Sequence, residues 1–218
     1  MRHVFTTLLI VFSVLNVKGQ DFVVNTNDLT DETQKSSDDE DRINLVWWIP
    51  TEFWSASLDS ESAEMQQIVA VLDQYTVFAM VDGEIGTFGS VHYVPIEEMR
   101  KGLTITDNHG DVFKPVDEKE ISQETSMFLQ IMRPIFTNML GAMGENMHFV
   151  LFPKENLEGK RLLDPYSEGT FSVNLLNQKF EWETPLGSLF PPRKCPIDSK
   201  PWNGTWKFCP VHGDKLVD

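Results

Sequence analysis

Two short segments near residue 200 carry side chains that can bind a metal ion. In each, a cysteine is followed by proline, one further residue and a polar residue, which pairs Cys195 with Asp198 and Cys209 with His212. Ten residues separate the segments, and Asn203-Gly204 between them predicts a tight hairpin turn that brings them together. Thiolate, imidazole and carboxylate groups are all competent zinc ligands. The sequence therefore predicts a four-ligand metal site made of Cys195, Asp198, Cys209 and His212.

This pattern resembles the zinc ribbon, in which two turns of this form supply four ligands to one ion. Asp198 and His212 stand where the zinc ribbon usually has two of its four cysteines. The resemblance covers about residues 190–216, and the rest of the chain indicates no family. It implies one structural zinc ion in a closed site, which leaves no coordination position for a substrate.

The same two cysteines also allow a different cross-link. An exported chain can oxidise them to a Cys195–Cys209 disulfide, which would close the same small loop. A Rieske iron–sulfur site, suggested by C-P-x-H-G at Cys209, needs a histidine two residues after Cys195, where Ile197 stands. Zinc and the disulfide therefore remain open. Asn203-Gly204-Thr205 also matches a glycosylation sequon, which matters only in a eukaryotic host.

The rest of the chain carries no motif of a catalytic site. It has no G-x-S-x-G elbow, no phosphate-binding glycine loop and no H-E-x-x-H segment. Glu52, Asp82 and Glu84 could pair for acid–base chemistry, but their spacing does not select them. We therefore expect a non-catalytic binding or structural module whose partner is a protein, a glycan or an envelope component. The alternative is a hydrolase that uses carboxylates or a metal.

The first residues have the pattern of a secretory signal peptide. Arg2 gives a basic start, Leu8–Leu15 is apolar, and Val17 and Gly19 are small enough for a cleavage site. The apolar segment is too short to span a membrane comfortably. We expect residues 1–19 to be removed before Gln20, which gives a secreted or periplasmic protein without a membrane anchor.

The chain is strongly acidic. Its formal net charge is −15, and removal of Arg2 and Lys18 with the signal peptide makes it −17. Such a charge repels nucleic acid phosphates and anionic membrane surfaces, which excludes nucleic acid as an expected partner. Residues 20–42 hold eight of the acidic side chains and few apolar ones. This composition predicts an acidic, disordered tether.

We expect residues 43–188 to form the globular domain, which is organised around one hairpin. Thr76–Val81 has apolar residues on both faces of an extended strand, which is typical of a strand covered on both sides. Asp82-Gly83 predicts a tight turn, after which residues 88–94 form the returning strand. Strands and helices then follow one another without a regular βαβ order.

The longest predicted helix runs from a cap at Ser122 to Leu140. Its apolar side chains form one broad stripe, which we expect to face the core: Met127, Phe128, Ile131, Met132, Ile135, Phe136, Met139 and Leu140. Pro134 lies inside this helix and should kink it. His148, in the strand that follows, is expected to be a core residue and not a catalyst.

Three tryptophans, Trp47, Trp48 and Trp54, lie within eight residues. They could form a platform for carbohydrate, but tryptophans this dense favour a core, with Trp54 the most exposed. Together these patterns predict an α+β fold with a mainly antiparallel sheet and a long Pro-kinked helix. A small knuckle hairpin over residues 189–218 completes the expected architecture.

Overall fold

The computed structural model describes residues 22–57 and 62–218. The signal peptide predicted over residues 1–19 lies outside these ranges. No helix within them is both long enough and apolar enough to cross a membrane. The helices are α1 (Thr26–Thr33), α2 (Thr51–Ser57), α3 (Ala63–Leu72), α4 (Ile96–Met99), α5 (Gln123–Leu140) and α6 (Ala142–Glu145). The strands are β1 (Gln34–Lys35), β2 (Arg42–Ile49), β3 (Tyr75–Ile85), β4 (Val91–Tyr93), β5 (Thr104–Thr106), β6 (Val112–Phe113), β7 (His148–Pro153), β8 (Gly169–Leu175), β9 (Gln178–Thr184), β10 (Arg193–Lys194) and β11 (Pro201–Trp202).

Strand β3 is the centre of the larger sheet. It pairs with β2 along one edge and with β7 and β4 along the other, and β1 pairs with the outer edge of β2. A second sheet has the order β6-β5-β8-β9, and β10 pairs with β11. Every strand pair in the described residues is antiparallel. The predicted α+β class with a mainly antiparallel sheet is confirmed.

The larger sheet is covered on both faces, which explains the apolar composition of β3. Phe78 and Met80 lie in a core shared with the second sheet, where Phe78 contacts Trp182 with the ring centroids 6.0 Å apart. Val77 and Ala79 lie in the other core, which contains side chains of α2, α3 and α5. The fold therefore has three layers: helices, the larger sheet and the smaller sheet.

The turn predicted at Asp82-Gly83 is wrong, because β3 continues through both residues to Ile85. Both residues pair with β2, and Gly83 pairs with β4 as well. A Cβ atom on Gly83 would lie 3.0 Å from Cγ1 of Val91. Glycine here permits a close approach of the neighbouring strand. The chain reverses later, through the 3-10 turn Thr87–Gly89.

The disordered tether predicted over residues 20–42 is also wrong for its described part, because this segment contains α1 and β1. Leu29 of α1 is completely buried in the core. The hydroxyl of Thr33 accepts a hydrogen bond from Nε1 of Trp47 at 3.1 Å, and its carbonyl accepts one from Nε1 of Trp182 at 2.9 Å. One leucine and two indole hydrogen bonds thus hold α1 against the domain, although two of its three exposed residues are acidic.

Helix α5 is capped as predicted. The hydroxyl of Ser122 accepts a hydrogen bond from the Thr125 amide at 3.1 Å, and the helix continues through Pro134. Phe128 and Phe136 are buried in the core between the helices and the larger sheet. The ring of Phe128 lies 5.6 Å from that of Trp54, and the ring of Phe136 lies 5.5 Å from that of Trp47. The predicted apolar stripe is therefore only partly core.

Five members of that stripe, including Leu140, are exposed, which corrects the prediction that they face the core. The other four are Met127, Ile131, Ile135 and Met139, which we call the Met–Ile row. They are spaced four residues apart, whereas the buried side chains lie on the adjacent face of the helix. The predicted stripe was broader than the surface that the sheet covers, so the sheet buries only the aromatic part.

The three clustered tryptophans are core residues, as predicted. Trp47, Trp48 and Trp54 are 5%, 1% and 2% exposed, so none of them forms a surface platform. The expectation that Trp54 is the most exposed is wrong, because α2 turns its ring inwards between Phe53 and Phe128.

His148 in β7 should make the stability of the protein depend on pH. Burial, aided by nearby Arg133 and opposed by Glu97, lowers the pKa of its imidazole. The unfolded chain, with a histidine pKa of about 6.5, then binds more protons than the folded chain as pH falls. Stability should therefore decrease as pH drops below about 6.5. Urea unfolding at several pH values should show a weaker dependence in His148→Gln, and an unchanged dependence would contradict this assignment.

Candidate metal centre

Each cysteine lies at the tip of its own short hairpin. Strand β10 leads into the Cys195 segment and β11 leads out of it. Phe208 and Lys215 bridge on either side of the Cys209 segment. The hairpin predicted around Asn203-Gly204 is therefore placed differently, because this turn connects the two hairpins instead of forming one itself. The sequence predicts one knuckle hairpin over residues 189–218, whereas the structure has two short ones.

The Cys195 knuckle is closed by backbone hydrogen bonds. The Cys195 amide donates to the Lys200 carbonyl at 3.0 Å, and the Ser199 amide donates to the Cys195 carbonyl at 2.8 Å. Ser199 has a φ of 59°, a left-handed conformation that closes the turn. The Asp198 and Ile197 amides lower the pKa of the Cys195 thiol, against the larger effect of burial.

The Cys209 knuckle repeats this pattern at the same spacing. The Cys209 amide donates to the Asp214 carbonyl at 2.8 Å, and the Gly213 amide donates to the Cys209 carbonyl at 2.9 Å. Gly213 has a φ of 76°, which glycine adopts at little cost. The His212 amide donates to the Cys209 sulfur at 3.5 Å. The two knuckles are therefore local copies of each other, and Asp198 and His212 occupy equivalent positions.

Three of the four predicted ligands converge. Nδ1 of His212 lies 3.3 Å from Sγ of Cys195 and 3.6 Å from Sγ of Cys209. All three ligand atoms lie within 4.8 Å of one another, so this group could hold a metal ion. Both cysteines are free and buried, whereas His212 is exposed. The group supplies one nitrogen and two sulfurs, which are three of the four donors that a tetrahedral zinc ion takes.

Asp198 lies beside this group without belonging to it. Its carboxylate accepts a hydrogen bond from the Lys200 amide at 3.0 Å. That amide and the Cys195 thiol lower the pKa of the Asp198 carboxyl, which places it next to Cys195. It is not among the three ligand atoms that are all within 4.8 Å of one another. The structure thus brings together Cys195, Cys209 and His212 and keeps the fourth candidate adjacent.

The two thiols have different acidities. Burial opposes ionisation of Cys209, but the His212 and Val211 amides and the His212 side chain outweigh it and lower its pKa to about 7. Burial raises the pKa of Cys195, and nearby Asp198 adds to this. The thiolate is the form that binds metals, so Cys209 is prepared for coordination at neutral pH.

One contact that the sequence did not reveal fixes the tail to the domain. The Glu32 carboxylate of α1 accepts hydrogen bonds from the Gly187 amide at 3.0 Å, the Ser188 amide at 2.9 Å and the Asn203 side chain at 3.1 Å. A Cβ atom on Gly187 would lie 1.9 Å from Nδ2 of Asn203, so only glycine fits there. The side-chain nitrogen of Asn203, to which a glycan would be attached, thus already donates a hydrogen bond to Glu32. We call these contacts the Glu32 clasp.

The three carboxylates considered for acid–base chemistry are engaged in ion pairs. Glu52 receives both terminal nitrogens of Arg161, at 2.7 and 2.8 Å. Asp82 and Glu84 both bind Arg42, and the hydrogen bond to Asp82 is the main cause that raises the pKa of Arg42. Glu52 therefore belongs to a different ion pair from the other two, and these contacts give all three carboxylates a structural role.

No protein-family model matches this chain, and no curated protein or solved structure matches it either. The zinc-ribbon resemblance of about residues 190–216 stays a prediction, which rests on the spacing of the ligands and on the geometry of the two knuckles.

Proposed function

We propose that this protein is an exported, non-catalytic binding module whose C-terminal tail is closed by one structural zinc ion. Cys195, Asp198, Cys209 and His212 hold the ion. The observation that carries the proposal is the convergence of two sulfurs and one imidazole nitrogen within 4.8 Å. A protein, glycan or envelope component is the expected partner of the exported module.

Asp198 is the fourth ligand in this proposal because of its place in the repeated knuckle. It occupies the position in the first knuckle that His212 occupies in the second, with the same backbone hydrogen bonds on both sides. The Cys195 thiol is one of the groups that lower the pKa of the Asp198 carboxyl. A bound cation attracts an adjacent carboxylate, so a small rotation of an exposed side chain completes the tetrahedral set.

The experiment is metal and thiol analysis of the purified mature protein. We expect native mass spectrometry to find one zinc per chain, together with a chain that starts at Gln20. A chelator should remove the zinc and expose two reactive thiols, because both cysteines are ligands. Cys195→Ser and His212→Ala should lose the zinc. Asp214→Asn, which removes an exposed carboxylate on the same knuckle, should keep it.

Two results would contradict this assignment in different ways. A protein without metal and without free thiols would have the Cys195–Cys209 disulfide instead. A protein without metal and with two free thiols would have neither cross-link.

A second candidate, a zinc hydrolase, is favoured by one observation. Only three ligand atoms are mutually close, and catalytic zinc sites combine three protein ligands with an open position. Asp198→Ala separates the two candidates. If the site is closed, this variant should bind zinc at least about tenfold more weakly. If the fourth position is open, affinity should be unchanged.

A further inference from the structure

A cavity of about 350 Å³ opens between the β5–β6 turn and the loop that connects β7 to β8. This volume lies in the range of pockets that hold small ligands. Asp107, Asn108 and His109 of the turn line one side of the cavity. The connecting loop provides most of the other lining residues, including Asp164 and Glu168. None of the lining residues belongs to the metal centre, so the cavity is a separate site.

Asp107 brings to this cavity a carboxylate oxygen that has no partner. Its Oδ1 accepts hydrogen bonds from the His109 and Asp111 amides, both at 2.9 Å, and so holds the turn. Its Oδ2 is buried and has no hydrogen-bond partner among the described residues, in a residue that is 7% exposed. A buried carboxylate oxygen without a donor is costly, because it has lost water without a replacement. The neighbouring Asn108 and His109 are exposed, so their side chains can move to admit a ligand that supplies this donor.

The charges that line the cavity favour a cationic donor. Its two basic side chains are already bound to carboxylates outside the cavity. Nζ of Lys160 lies 2.7 Å from Oε2 of Glu158, and Arg161 donates to the two carboxylate oxygens of Glu52 at 2.7 and 2.8 Å. The three acidic side chains of the lining therefore outweigh the basic charge that remains, and an ammonium group would meet a negative potential there.

A metal ion suits the same lining less well. Within the described part of the chain, the carboxylates of the lining do not form a group of three ligand atoms within 4.8 Å of one another, as the metal centre does. Part of the wall is also apolar, since Leu162, Leu163 and Phe171 line it with at most 6% of their surface exposed. A hydrocarbon chain can pack against these side chains, whereas a hydrated ion gains nothing from them.

We propose that this cavity binds a small aliphatic primary amine. The ammonium group donates to Oδ2 of Asp107, and the methylene chain packs against the apolar wall. An ammonium group has three donors and no acceptor, which matches a carboxylate oxygen that lacks a donor. The second ammonium of a diamine would lie near Glu168, whose exposed carboxylate lines the same cavity. A free amine and the lysine side chain of a protein share this chemistry, and binding measurements separate them.

Isothermal titration calorimetry of the mature protein with putrescine, a four-carbon diamine, tests the proposal. We expect saturable binding of one putrescine per chain and no binding of the diol of the same chain length, which lacks the charge. An end-blocked Gly-Lys-Gly peptide presents the same ammonium group on a lysine side chain. Tighter binding of the peptide would identify a protein as the source of the amine, and tighter binding of putrescine would identify a free amine.

Substitutions in the lining test the role of each carboxylate. Asp107→Asn should weaken putrescine binding at least about tenfold, because it removes a charge-assisted hydrogen bond but keeps Oδ1 for the turn. Asp111→Asn is the matched control, since it removes the same charge from the same turn at a residue that does not line the cavity. Its affinity should stay close to that of the unsubstituted protein. Glu168→Gln, at an exposed position of the lining, should weaken binding several-fold and leave the protein folded.

Three results would overturn the proposal. The first is the absence of saturation by both putrescine and the peptide at millimolar concentrations, and the second is equal binding of the diol. The third is an equal loss of affinity in Asp107→Asn and Asp111→Asn, which would show a general effect of charge and no contact with Asp107. If circular dichroism shows that Asp107→Asn does not fold, Glu168→Gln decides, and an unchanged affinity in that variant would overturn the proposal.

Discussion

Leu29→Ala should lower the free energy of unfolding by about 3 kcal/mol, because it leaves a cavity in a well-packed core. Leu29 has no exposed surface, although it lies in a segment whose composition predicts disorder. The loss combines the transfer energy of the leucine side chain with the cost of the cavity. Urea unfolding followed by tryptophan fluorescence measures it, since Trp47 and Trp182 contact the same helix through Thr33.

Val23→Ala is the matched control, because Val23 is 82% exposed just before α1. Its effect should stay within about 0.5 kcal/mol. If both substitutions were equally mild, α1 would not belong to the core, and the prediction of a disordered tether would stand after all.

Arg42→Met should cost about 3 to 5 kcal/mol, because it leaves a buried carboxylate without its counter-charge. Asp82 is 1% exposed, and its Oδ2 has no hydrogen-bond partner among the described residues. Arg42 is therefore the group that compensates this charge. Thermal or urea unfolding at constant ionic strength measures the loss.

Glu84→Gln is the matched control, since Glu84 also binds Arg42 but its side chain is 68% exposed. An exposed ion pair contributes at most about 1 kcal/mol. The double variant Arg42→Met/Asp82→Leu should recover most of the stability, because it removes the unpaired charge. An Arg42→Met protein as stable as Glu84→Gln would show that Asp82 is not held as a buried charge.

Patterns that depend on neighbouring residues could be predicted from the sequence. Apolar and polar residues alternate over residues 171–175 and 180–183, a pattern typical of half-buried antiparallel strands, and these residues lie in β8 and β9. The apolar faces of Thr76–Val81 predict a strand covered on both sides. The repeated Cys-Pro segments predict the convergence of Cys195, Cys209 and His212.

Features that depend on distant parts of the chain could not be predicted in the same way. The sequence shows a broad apolar stripe on α5, but how much of it the larger sheet covers depends on three-dimensional packing. Asp82-Gly83 has the composition of a turn, yet Arg42 and two neighbouring strands keep it extended. Composition averages over residues 20–42 and cannot show that Leu29 and Thr33 have partners far along the chain.

The Glu32 clasp has a consequence for the order in which the protein is made. Glu32 binds Gly187, Ser188 and Asn203, which are separated from it by 155, 156 and 171 residues. A ribosome adds roughly 5 to 20 residues per second, so α1 waits roughly 8 to 30 s before its first clasp partner is synthesised. During this interval Leu29 has no completed core to enter. The acidic side chains of residues 20–42 then keep the waiting segment solvated and discourage association with other nascent chains.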